Sequence, residues 1–293
     1  MSHLDLIPIS GTEEEITKSY ARIVQALTDD NPLLYYLNQS TMEFAKDANG
    51  NFAVIPQYFF SAENVAKYNH KIQDAANQLI YDLKLTEGSD FEKVKKVHDY
   101  MCVNAKYDNG GSNQKDLSRF IAAHNIIGVF AHKSAQCDGI VKVAKVLLNA
   151  VDVRCIFVTG KAKGDDSNMA AHGWNIVNID GTPYQLDITM DIGAGTDGFI
   201  AYDYFNVTDA QMRKNHVFST GYPRCSAAEE NYFVKNGLVF SSKKKLQDYI
   251  SKQVKAGETM MYFKLAGKLK VAEIYQEMMN FGYQILCDMA KRM

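Results

Sequence analysis

Near residue 150 the hydrophobic pattern of this chain changes period, and that change constrains the fold more than any other feature. Upstream, apolar residues recur every three or four positions, the spacing of helices that bury one stripe. Thr12 and Glu15 make a capping-box pattern, and Ile16, Tyr20, Ile23, Val24 and Leu27 then share a face until Asn31–Pro32 stops the helix. Helices are expected over 62–83, from Ser89 and Glu92 through Met101, and over 117–130 and 137–150. Between the first two, 33–37 and FAVIPQYFF read as short strands about an Asn49–Gly50 turn. Downstream of 150, VRCIFVTG, HGWNIVNI and TPYQLDI have the alternation or short apolar runs of strands. Asp180–Gly181 is a hairpin signal between the last two. The tail predicts a strand at YFVKNGLVF, a helix over 243–255, a strand at MMYFKL and a helix over 271–293. Helices come first and strands cluster in the middle, which is an α+β pattern and not the alternation of a doubly wound sheet.

Bulk properties remove several function classes. Lys plus Arg number 32 against 34 Asp plus Glu, so no charge excess draws the chain to nucleic acid or an anionic membrane. No apolar run reaches the ~18–20 residues of a spanning helix. The opening MSHLDLIPISGTEEE lacks the basic start and apolar centre of a secretory signal, which favours the cytoplasm unless a leader was trimmed. The five cysteines, Cys102, Cys137, Cys155, Cys225 and Cys287, form no zinc spacing, and an odd number leaves one thiol outside any internal disulfide.

Some motifs mislead. Gly193, Gly195 and Gly198 satisfy G-x-G-x-x-G, but FIAYDYF follows where a phosphate-binding helix would begin, so a loop is expected. His98 and Cys102 have metal-ligand spacing on a helix, yet His98 lies on the apolar stripe with no third ligand beside it, the setting of a hydrogen-bonded core histidine. Asn38 and Asn206 open glycosylation sequons that matter only in a secreted chain. The lysine run at Lys243 reads as a solvated helix start.

Cys137 is different. It follows the polar HKSAQ and opens a helix, where unpaired backbone N–H groups and the positive dipole end favour a sulfur anion. The same N–H groups are material for an oxyanion hole, and Gly139 lets other backbone approach. A thiolate nucleophile needs a base, and the base an orienter. His172 begins HGWNIVNI and Asp187 ends YQLDI. About the Asp180–Gly181 turn, 172 falls opposite roughly 189, and 187 is its near diagonal neighbour, within reach of cross-strand pairing. Asp191 is the rival carboxylate. Trp174 shares the strand face of His172 and is a candidate wall of the substrate site.

The segments SAQCDGIVKVAKVLL and HGWNIVNIDGTPYQLD, with ITMD after them, resemble the core of the transglutaminase-like superfamily. VHDYMCVNAKYD before them resembles the family's helix leading to a Tyr–Asp pair, and YDYFNVTDAQMRKNHVF resembles the segment that follows in bacterial members. Ile140, Ile188 and Met190 depart from the family's usual residues beside the site. The resemblance implies a papain-like core at 90–220, a nucleophile helix packed on an antiparallel sheet. A helical extension at 1–89 precedes it, and a strand–helix extension at 221–293 packs on it. It also implies Cys137 as nucleophile, His172 as general base and acid, and Asp187 as orienter, with no cofactor or metal. The implied function is hydrolysis of an amide or peptide through an acyl-thioester on a protein or peptide substrate. The alternatives are acyl transfer to an amine, and a binding module of the same fold without catalysis.

Overall fold

The computed structural model describes residues 4–163, 168–195 and 198–290. They divide into two compact units, Met1–Ala227 and Ala228–Met293.

The first unit starts with β1 (Ile7–Ile9) and α1 (Glu13–Asp30). The capping box forms as the sequence predicts: the Glu15 carboxylate accepts from the Thr12 N–H at 2.9 Å while the Thr12 hydroxyl accepts from the Glu15 N–H. The buried stripe is narrower than expected. Ile16 and Val24 are buried, but Ile23 is 59% exposed. Where a strand was expected after α1, Pro32 opens a single 3-10 turn instead, its fixed φ suiting a first helical position. β2 (Glu43–Lys46) and β3 (Phe52–Ile55) then pair antiparallel across the Asn49–Gly50 turn, with β1 on the other edge of β3. Helices α2 (Ala62–Asp82) and α3 (Asp90–Asn104) follow, the second opened by a Ser89–Glu92 capping box.

The core comes next. β4 (Lys106–Tyr107) lies parallel to β5 (Ser134–Ala135). Between them, the single helix expected over 117–130 is two, α4 (Leu117–Ala123) and α5 (Ile126–His132). The chain breaks at His124–Asn125 because the following helix passes close to it: a Cβ on Gly139 would stand 2.5 Å from the Ala123 carbonyl oxygen and 3.1 Å from that of Asn125. That helix, α6 (Cys137–Asn149), buries Ile140, Val141, Val143, Ala144, Leu147 and Leu148. It packs on β6 (Cys155–Lys163) and β7 (Met169–Ile179). Each fully buried aliphatic side chain contributes about 1.5–3 kcal/mol. β8 (Thr182–Leu186) returns from the Asp180–Gly181 turn, where both residues have positive φ, 50° and 86°. α7 (Ile188–Ala194), α8 (Asp209–Met212) and the short β9 (His216–Val217) complete the unit. The sheet is antiparallel in the order β8-β7-β6-β9. This is the expected α+β core, a helix opened by Cys137 laid on an antiparallel sheet.

The second unit corrects the reading of YFVKNGLVF as one strand. Asn231 caps a short helix, α9 (Tyr232–Lys235), and only β10 (Val239–Phe240) is extended. Its parallel partner β11 (Lys264–Leu265) is all that forms of the expected MMYFKL strand. α10 (Lys243–Lys255) and α11 (Val271–Ala290) bury Leu246, Ile250, Val254, Ile274 and Met278 together with Phe240. The lysines opening α10 are solvated, Lys243 pairing with Glu277 and Lys244 with Asp248. Residues 291–293 of the expected final helix lie outside the described residues. Among the described residues, no helix is long and apolar enough to cross a membrane.

Candidate active site

Cys137 is the first residue of α6, with Gln136 as N-cap, and its side chain is half-buried. A first-turn N–H has no intrahelical partner, so the backbone N–H of Cys137 is available beside its own sulfur. The Gln136 amide is already engaged. It donates to the Asp108 carbonyl at 3.1 Å and to Ser112 Oγ at 2.7 Å.

His172 lies on β7 across the ladder from Gly160. The β7–β8 register pairs Asn175 with Leu186, and β8 ends there. Asp187 is therefore not on a strand, as the sequence suggested, but is the N-cap of α7. Its Oδ1 accepts from the Met190 N–H at 3.0 Å. That capping bond fixes the carboxylate, and its Oδ2 accepts from His172 Nε2 at 2.7 Å. The other imidazole nitrogen is left for Cys137, whose sulfur hydrogen-bonds the ring. The three side chains form one hydrogen-bonded line from the helix start to the sheet end.

Burial opposes each charge in this line, and pairing overcomes it. For His172, burial disfavours the imidazolium, but the Asp187 carboxylate and the Cys137 sulfur push the pKa up to about 10. Asp187 is fully buried, which alone would raise it, yet His172 and His216 hold it well below the usual carboxylate range.

Trp174 is fully buried, so the expectation that it contacts substrate is corrected: none of its surface is open. Its ring stacks behind His172 with centroids 5.9 Å apart, and its Nε1 donates to Gln185 Oε1 at 2.6 Å. The neighbouring Asn175 ties the sheet to α6, donating to the carbonyls of Val141 and Ile156, both at 3.3 Å.

His216 was missed by sequence reasoning. On β9, which pairs with β6 through Ala162, it is buried, and its Nε2 donates to Asp187 Oδ2 at 3.0 Å. His172, Asp187 and His216 each place one ligand-type atom within 4.8 Å of the others. Both imidazole nitrogens are hydrogen-bonded to the one carboxylate oxygen, Asp187 Oδ2. The only sequence signal of His216 was the NHVF segment in the family resemblance.

The remaining candidates separate cleanly. His98 is a buried core histidine whose Nε2 donates to Asp191 Oδ2 at 3.1 Å and whose Nδ1 donates to Asp99 Oδ1 at 3.0 Å. Burial opposes its charge, but Cys102, Asp191 and Asp99 raise its pKa well above the usual value. Burial pushes Asp191 up to about 6 despite its bond to His98. Burial also raises the thiols of Cys102, Cys155 and Cys225, Cys155 to about 12. Asn206 is fully buried with a φ of 51° and offers no open sequon. After Gly195 no helix opens before Asp209 among the described residues, so the glycine pattern builds no phosphate cradle; residues 196 and 197 of it lie outside them.

Residues 77–187 match the family model of the transglutaminase-like superfamily. Kyphoscoliosis peptidase of Mus musculus is 25% identical over 129 residues, 42% of this chain and 19% of that protein. The Homo sapiens protein of the same name is 24% identical over 124 residues, 40% of this chain and 18% of its own. The chain thus spans about a fifth of the length of the curated relatives it matches. A solved structure described as a TGase shares 16% identity at a TM-score of 0.35, covering 62% of this chain and 48% of its own. Cys137, His172 and Asp187 all fall, in that order, inside the segment 77–187 that is similar to the transglutaminase-like superfamily.

Proposed function

We propose that this chain is a cysteine-dependent amide or peptide hydrolase working through Cys137, His172 and Asp187. The observation that carries the reading is the hydrogen-bonded line from Cys137 through His172 to Asp187, starting at a helix N-terminus. The Cys137 thiolate attacks an amide carbonyl carbon, and the oxyanion forms beside the helix-start N–H groups. The imidazolium of His172 delivers its proton to the leaving nitrogen as the C–N bond breaks, leaving an acyl-thioester. Water then attacks that carbonyl and gives a proton to His172. The C–S bond breaks, releasing a carboxylic acid and restoring the thiolate. Asp187 keeps the ring in the orientation and tautomer both steps need.

Two curated relatives are named peptidases, which favours water over an amine as the acceptor. The test uses a denatured protein substrate with and without a fluorescent primary amine. Peptide release that disappears in Cys137→Ala supports hydrolysis. Cys137-dependent incorporation of the amine without peptide release would make the chain an acyltransferase. Neither activity in a folded wild-type chain would return it to a binding module.

A further inference from the structure

One carboxylate oxygen in this site serves two imidazoles. Asp187 Oδ2 accepts from His172 Nε2 at 2.7 Å and from His216 Nε2 at 3.0 Å, while Oδ1 is spent on the helix cap. His216 is itself held. Its Nδ1 hydrogen-bonds Asn215 Oδ1 at 2.8 Å, and the Asn215 amide donates to the Tyr204 hydroxyl. Its ring meets Trp174 edge-on at 4.9 Å and Tyr204 at 5.6 Å. The side chain is buried, and both of its ring nitrogens have partners.

We propose that His216 is a positioning residue that sets how strongly Asp187 holds the proton of His172. The inference rests on the triad reading above and adds a control to it. A carboxylate oxygen that accepts two N–H bonds divides its negative charge between them. Asp187 therefore pulls on the imidazolium of His172 less than an unshared carboxylate would, and His172 gives up its proton more readily to a leaving amine. Among the described residues, the charged and titratable groups facing this network are few. Cys137 on α6 faces His172, and Asp191 on α7 adds negative charge near Asp187. Tyr204 lies against the His216 ring. None of these donates to Asp187 Oδ2, so the shared oxygen is governed by His172 and His216.

A carboxylate freed from its second partner holds the His172 proton to higher pH. A merely structural histidine would not give that sign. The test follows the rate of Cys137 alkylation by iodoacetamide across pH in the full chain, with the modified residue mapped by mass. A thiolate–imidazolium pair gives a rise at low pH and a second step where His172 loses its proton. His216→Phe keeps the ring volume and removes the donor. Its second step should move up by about 0.5–1 pH unit. His216→Gln carries an amide N–H at a reach similar to that of Nε2 and should bring the step back toward wild type. Should the phenylalanine chain not fold, His216→Asn, one methylene shorter, takes its place with the same expected shift.

A step unmoved or lowered in the donor-less variant overturns the inference and leaves the triad reading intact. Equal shifts in the glutamine and phenylalanine chains also overturn it, because the donor would then be irrelevant. A wild-type chain whose Cys137 alkylates like an ordinary thiol overturns the triad reading, and this inference with it.

Discussion

Asp187 and Asp191 stand one helical turn apart on α7, the Asp191 N–H donating to the Asp187 carbonyl at 3.3 Å, yet their carboxylates answer different histidines. Tyr204 joins them from the far side. Its carbonyl accepts from the Asp187 N–H at 3.1 Å, and its N–H donates to Asp191 Oδ1 at 3.1 Å. One short helix therefore faces the sheet histidine with its cap and the α3 histidine with its next turn.

The two carboxylates should separate kinetically. Asp187→Asn should keep the fold but lower kcat/KM by orders of magnitude, as loss of the orienting carboxylate does in serine triads. Asp191→Asn should leave kcat/KM within about tenfold and cost roughly 1–3 kcal/mol of stability by weakening a buried charged bond. Steady-state kinetics and urea melts on both variants check this, and the reverse pattern would move the orienting role to Asp191.

Labelling should be selective. At pH 6, iodoacetamide should modify Cys137 at least ~10-fold faster than Cys102, Cys155 or Cys225, whose burial disfavours their thiolates. Peptide mapping after brief exposure reads the order directly. Faster modification of Cys102, which has its own histidine 3.6 Å away, would shift the chemistry to the wrong face of α3.

Stability should depend on pH through His172. Its folded pKa, about 10, lies above the unfolded value of ~6.5. The linked stabilisation is therefore full below pH ~6.5 and fades as pH rises toward 10. Asp187 works oppositely, its depressed pKa contributing stability above the ordinary carboxylate range that is lost in strong acid. Wild-type Tm should fall between pH 7 and 10 by at least about 3 °C more than that of His172→Gln. Parallel calorimetric curves for the two chains would contradict it.

Gly139→Ala should hurt although the residue lies in a helix, where alanine is normally favoured. The added Cβ would come within 2.5 Å of the Ala123 carbonyl oxygen and 2.8 Å of Ala135 Cβ, so the α6 start or the α4–α5 connection has to shift. A loss of about 1–3 kcal/mol in a urea melt is expected, with slower Cys137 alkylation. An unchanged or raised midpoint would mean the close approach is readily relieved.

Much of this was legible from local signals, and the exceptions have physical causes. The capping boxes at Thr12 and Ser89, the Asp180–Gly181 turn and the start of α6 at Cys137 are written in neighbouring residues. The break at His124–Asn125 is not, because its reason is a helix packed against it from later in the chain. The β-prone YFVK segment became a helix once Asn231 capped it, a small local term outweighing a weak propensity. His216 sits 29 positions beyond Asp187 on a two-residue strand, so no spacing rule connects it to the line it joins.

Beyond its first turn, α6 carries Lys142 and Lys145, both buried. Lys142 donates to the His124 carbonyl at 3.0 Å, and Lys145 meets Asp30 of α1 at 3.3 Å. Asp30 stands well upstream of residue 77, where the family match begins, and in the same compact unit as Cys137. Trimming to the matched segment would strip the Lys145 ammonium of its counter-charge and bare one flank of the helix that presents the sulfur. The length that matches the family model is thus shorter than the length that shields α6 from water.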